Sequence, residues 1–273
     1  MTPLVPAADA PLAGATVVIS LGVAAVYLFV GRRIAEREVS RNARLASYQL
    51  ALWWGGLGVS GVLGSVELAL ALANAYPFAL ALTLSLVGYL LAVAFLWGLV
   101  GFLVFVYTGR YHLIELTTLY GAFYVMIVYY YLAQAPYAVG FHAGAPTLLY
   151  AQPGLFWLAV PIVLILLGPV IVGGILYLSL LRRTHDRGTR SRIWLVGGGI
   201  LLWFAIDLFI PDSSGSWSLV RSVIQVLPGM MSLIAFYPPA WAQRRFGLSP
   251  ARPVPDASPS APADPPAGPG ARL

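Results

Sequence analysis

Fifteen of the sixteen arginines in this chain sit in three short loops and one tail, and the sixteenth, Arg221, lies inside an apolar run; there is no lysine. Long apolar runs separated by alternately basic and arginine-free loops describe a polytopic membrane protein with one cytoplasmic side. Hydrophobic residues make up 59% of the chain and charged residues 10%, against about a quarter charged in soluble domains. Lipid must therefore be the solvent for much of the surface. The net charge of +6 is explained by arginines that flank apolar spans, so nucleic acid is not an expected partner.

Uninterrupted apolar stretches of ~20 residues occur over residues 13–30, 48–73, 78–107, 114–132, 155–181, 193–210 and 217–237. Read as helices, they predict an all-α, seven-transmembrane-helix bundle over residues 13–242. It follows a short outer N-terminus, residues 1–12. Arg32 and Arg33 follow the first span and nothing basic precedes it, the reverse of a cleavable signal, so that span is expected to be retained.

The 1–2 loop (Arg32, Arg33, Arg37, Arg41, Arg44), Arg110, the 5–6 loop (Arg182, Arg183, Arg187, Arg190, Arg192) and the tail then fall on one side. The expected topology has the N-terminus outside and the C-terminus in the cytoplasm, in the cytoplasmic (inner) membrane. The 4–5 connection, residues 133–154, is predicted to fold as an outer cap, and span 5 to kink at Pro161 and Pro169. The tail, residues 247–273, is Pro, Ala, Gly and Ser with little to bury, and is expected to be disordered.

Composition excludes several chemistries. Without cysteine there are no disulfides, thiolate nucleophiles or iron–sulfur ligands. Without lysine there is no retinal Schiff base and no P-loop lysine. His112, His142 and His185 lie in loops or at a helix end, so no bis-histidine haem is expected. No metal or cofactor signature is present. Gly58-Val59-Ser60-Gly61 has the Gly-x-Ser-Gly form of rhomboid proteases, but no histidine lies in another span to serve it. An enzyme is not expected.

Charges inside the spans therefore carry the functional reading. Glu67, Asp207 and Arg221 fall at one depth, each ~6–12 Å below an outer helix end at 1.5 Å per residue. A charge facing lipid there costs a few kcal/mol, so the three are predicted to turn inward and pair. Arg221 has Asp207 as first partner and Glu67 as second. The cluster is either a helix lock or an outward-facing ligand pocket, with Tyr124 on span 4 as a further candidate lining residue. Gly56, Ser60 and Gly64 recur every fourth residue below Glu67, a spacing that lets another helix approach closely. Glu115 and His112, at the inner start of span 4, are candidates for an inner gate.

The span count and orientation resemble the rhodopsin-type bundle, without its Schiff-base lysine. Together with Tyr107-Thr108-Gly109-Arg110 at the inner end of span 3, they also resemble the seven-helix sensor regions N-terminal to prokaryotic histidine kinases. No kinase or other output domain follows span 7, so the resemblance implies a detached sensor bundle working through a partner. The expected function is a sensor or receptor-like module binding a small or lipophilic ligand from outside. A small transporter of an anionic or zwitterionic solute and a non-catalytic accessory subunit are the alternatives.

Overall fold

The computed structural model describes residues 4–36, 43–142, 144–151, 168, 171, 173–209 and 215–248. Arg37, Arg41, most of the first two-thirds of span 5 with Pro161 and Pro169, the 6–7 turn over residues 210–214, and the tail from residue 249 lie outside the described residues.

The described chain is mostly helical. Helix α1 covers Ala10–Ala35, α2 Arg44–Leu72, α3 Phe78–Thr108 and α4 Leu113–Ala133. The described part of α5 covers 173–183. Then come α6 Arg187–Phe209, α7 Gly215–Ile224, α8 Val226–Phe236 and α9 Ala240–Phe246. Five helical stretches are long and apolar enough to cross a membrane: α1, α2, α3, α4 and Leu219–Phe236, which runs through α7 and α8. They place the chain in a lipid bilayer as a multi-pass protein. Helix α6 has 23 residues, but Arg187, Arg190 and Arg192 at its start and Asp207 near its end shorten its apolar run.

Helix ends follow local chemistry. Pro77 and Pro239 precede α3 and α9 in extended conformation, and Asp186 caps α6 by accepting from the Thr189 N–H at 2.6 Å. That hydrogen bond holds the Asp186 carboxyl below the usual carboxylate range. A carboxylate so depressed contributes fully above its unfolded value, near ~3.9, and the contribution fades as pH falls through the folded value. Asp186→Ala is expected to lower the melting temperature at about pH 6. The difference should shrink toward pH 3, and one that stayed constant would contradict the capping role.

Tyr107-Thr108-Gly109-Arg110 is a helix stop. Gly109 takes φ +68°, the left-handed conformation that ends helices at glycine. The Thr108 hydroxyl donates to the Val104 carbonyl at 2.8 Å and accepts from the Arg110 N–H at 3.1 Å.

Sequence neighbours pack side by side: α1 on α2, α2 on α3, α3 on α4. Gly173 of α5 meets Leu103 of α3, and Gly197 of α6 meets the Tyr177 ring of α5. Helix α8 packs on α6, and α7 and α8 both return to α1, which closes a ring. The centre is aromatic. Trp53 and Trp54 are fully buried, and Trp53 lies 5.2 Å from Phe95, 5.2 Å from Trp203 and 5.6 Å from Phe204 between ring centroids.

Basic segments gather at one end. There the Tyr237 hydroxyl donates to the Arg33 carbonyl at 2.7 Å, the Arg187 guanidinium donates to the Arg245 carbonyl at 2.8 Å, and the Tyr111 hydroxyl accepts from the Ala46 N–H at 3.3 Å. At the opposite end, arginine-free in its loops, the helical bundle carries an antiparallel hairpin, β1 Pro136–His142 and β2 Ala145–Tyr150, where the sequence predicts a folded cap. Gly144, with φ +86°, supplies the positive φ that a tight hairpin turn requires. Val139, Phe141 and Leu148 bury against Leu68, Ala71, Tyr76 and Ala81 at the ends of α2 and α3.

Candidate functional site: a polar cavity at the arginine-free end

Glu67, Asp207 and Arg221 line one cavity of about 600 Å³. It runs from the hairpin turn (Gly144, Ala145 and Pro146) down to Leu57, Tyr27, Phe95 and Trp203. Along α2 the distance from Glu67 to Leu57 is ~15 Å at 1.5 Å per residue, about half a bilayer's hydrocarbon thickness. Helix α1 contributes Thr16, Ser20 and Tyr27; α2 contributes Ser60, Gly64 and Glu67; and α3 contributes Ser85, Gly88 and Tyr89. Asp207 and Trp203 come from α6, and Arg221, Ser222 and Gln225 close the circle. The floor is the aromatic centre of the bundle.

Arg221 donates to the Asp207 carboxylate and forms an ion pair with it. This is the pairing predicted first, and it ties α6 to α7. The pair is partly open: 19% of the Arg221 side chain and 39% of that of Asp207 are exposed. Glu67 stands on the opposite wall, and its carboxylate faces the Tyr76 hydroxyl rather than a cation. Burial, and after it the Glu67 charge, push the Tyr76 phenol above its ordinary range. Tyr76 therefore remains a donor across the physiological range.

The wall beneath Glu67 departs from expectation. Ser60 and Gly64 line the cavity, and a Cβ built on Gly64 would meet nothing within 4 Å. The stripe Gly56, Ser60, Gly64 is therefore mostly a cavity wall, and only Gly56 packs tightly, with an added Cβ 2.6 Å from Phe95 Cβ. The close helix seam lies on another face of α2. There Gly58 fits against Ala24 and Leu28, while Gly31 of α1 fits against the Ala51 and Gly55 backbone.

Arg221 sits just before a break at Gln225 between α7 and α8. Pro228 has no N–H to bond the carbonyl four residues earlier, which loosens this turn. The Tyr27 hydroxyl donates to the Gln225 carbonyl at 2.5 Å, and the Tyr27 ring covers Gly229, where a Cβ would come within 2.9 Å of it. Tyr27→Phe is expected to cost about 1 kcal/mol, read as a lower melting temperature in detergent. An unchanged value would mean that the break is held without Tyr27.

Other expected site residues lie elsewhere. No residue of α4 lines the cavity among the described residues, because α4 packs on α3. Tyr124 accordingly packs against the main apolar core, next to buried Tyr120. His112 Nδ1 and Glu115 Oε1 are 3.6 Å apart at the start of α4, both exposed. Glu115 there meets the favourable end of the helix dipole.

Tyr89 was not anticipated from the sequence. It lines the cavity and stacks on Tyr131 with ring centroids 4.1 Å apart; Tyr131 in turn meets Tyr150 of the hairpin at 6.1 Å. The available signal is the small-residue face of α3, with Ser85, Gly88 and Ala92 around it. Among the described residues, no three His, Asp or Glu side chains converge to hold a metal ion. No family model matches this chain, and no curated protein sequence matches it.

Proposed function

We propose that this chain is a seven-helix sensor or receptor-like module of the cytoplasmic membrane that binds a small ligand in this cavity from the outer side. The carrying observation is a cavity walled by five helices at the arginine-free end and lined by Glu67, Asp207 and Arg221. On this reading the apolar run 155–181 of the sequence and α6 would be the two spans beyond the five long apolar stretches. The arginine-free end faces outward because arginine is retained in the cytoplasm. The ligand signal would pass to a separate partner through the basic inner loops, as the resemblance to kinase-linked sensor regions implies.

Two features support a sensor. The cavity ends on a packed aromatic floor, and the Tyr89–Tyr131–Tyr150 contacts connect its wall to the hairpin. A second reading, transport of a small solute, is favoured by the helix break at Gln225 in the cavity wall, since interrupted helices form the sites of many transporters. It requires the aromatic floor to open toward the basic end.

Native mass spectrometry from nanodiscs tests the binding site. The expected result is a discrete, non-lipid added mass that disappears in Gly64→Trp, a change that fills the cavity. A bare mass, or an adduct that survives Gly64→Trp, would leave Arg221 and Asp207 as a helix lock and remove the pocket.

A further inference from the structure

Among the described residues the cavity contains one more carboxylate than cations, Glu67 and Asp207 against Arg221. We propose that it takes a small organic cation, with Glu67 as counter-ion and the rings of Tyr27, Tyr89, Phe95 and Trp203 enclosing the apolar part. This rests on the cavity being an outward-open binding site.

Charge and shape point the same way. Arg221 is engaged by Asp207, so an incoming anion would have to displace a carboxylate from it. Glu67 forms no ion pair with any cation among the described residues, and the Tyr76 hydroxyl supplies only a neutral neighbour. A carboxylate at membrane depth without a cation is costly, and an ammonium ligand would offset that cost. Below it aliphatic side chains such as Val23, Leu57 and Leu63 alternate with Ser20, Ser60 and the aromatic rings, and ring faces attract cations as well as apolar groups.

A bare metal ion fits poorly. Hard cations want about six or more oxygen ligands, and no three acidic or histidine side chains converge here among the described residues. The chain as a whole carries +6, so a locally negative cavity at its arginine-free end is a departure from the molecule's own field. Such a field enriches cations at the mouth.

The absence of cysteine makes a background-free test available. Gly64→Cys places one thiol in the cavity where an added Cβ meets nothing within 4 Å. Its modification rates with a trimethylammonium and a sulfonate methanethiosulfonate, each normalised to a free thiol, report the local charge. The expected result is a cation preference of about tenfold or more, falling to about twofold or less when Glu67→Gln is added. Phenethylamine at millimolar concentration should slow the reaction of the single variant, while phenylacetate should not.

Equal rates, a sulfonate preference, or protection by phenylacetate alone would overturn the cation class and leave the binding site standing. A thiol that neither reagent reaches would overturn the open cavity and this proposal with it. If the Glu67→Gln protein does not fold, the rate ratio and amine protection of Gly64→Cys decide by themselves.

Discussion

Gly58→Leu is expected to separate α1 from α2 and to give the largest loss of stability of any single change discussed. A Cβ at this position would sit 2.7 Å from Leu28 Cγ and 2.9 Å from the Ala24 carbonyl oxygen. One obstacle is backbone, which cannot rotate away, so the helices must move apart. Lipid supplies no hydrophobic force to hold them, and close van der Waals packing is what the seam offers. Overpacking of this kind costs about 3 kcal/mol, enough to abolish a sharp melting transition in mild detergent. Gly64→Ala, on the cavity face, is the matched control and should be tolerated. Equal damage from both would mean that the seam lies elsewhere.

Arg221→Leu is the second large effect. Removing the guanidinium leaves Asp207 without this cation at membrane depth, whereas removing both charges removes the pair whole. Breaking a fully buried pair costs about 3–5 kcal/mol; with Asp207 39% exposed, water in the cavity reduces this to about 2 kcal/mol. The double variant Arg221→Leu/Asp207→Leu should recover at least half of the loss in melting temperature. A double variant as unstable as the single one would show that Arg221 acts through contacts other than Asp207.

The Arg221–Asp207 pair was legible in the sequence because charge is scarce inside a membrane. A single arginine among the spans must find an acid, and Asp207, at the end of the neighbouring span, stands across a short turn. The helical bundle and the gathering of arginines at one end were legible for the same reason. Glu67 shares the cavity with Asp207 and Arg221, but its neighbour is Tyr76 at the α2–α3 junction, which no charge rule identifies.

The faces of the helices were harder to read. In water an apolar stripe marks the packed side of a helix; in lipid every side is apolar, so Gly56, Ser60, Gly64 and Gly58, Gly61 are equally plausible seams. Ser60 and Gly64 of the first set line a cavity while Gly56 packs on Phe95, and Gly58 and Gly61 meet α1. Tyr89 takes the place in the cavity wall that Tyr124 was expected to hold, because α4 sits behind α3. The hairpin was recognisable as an ordered cap, yet its strands are short and interrupted by Gly140 and Pro146, which obscures a two-residue period.

The central claim is a water-accessible cavity that opens on the outer face of the membrane. It is tested most directly by labelling two single-cysteine variants with a membrane-impermeant maleimide in intact cells and again after permeabilisation. Ser85→Cys lies in the cavity wall, and His185→Cys is exposed at the basic end. The account predicts that Ser85→Cys is labelled in intact cells, while His185→Cys is labelled only once the membrane is opened. Labelling of His185→Cys from outside, or a Ser85→Cys thiol that stays unreactive until permeabilisation, would contradict it.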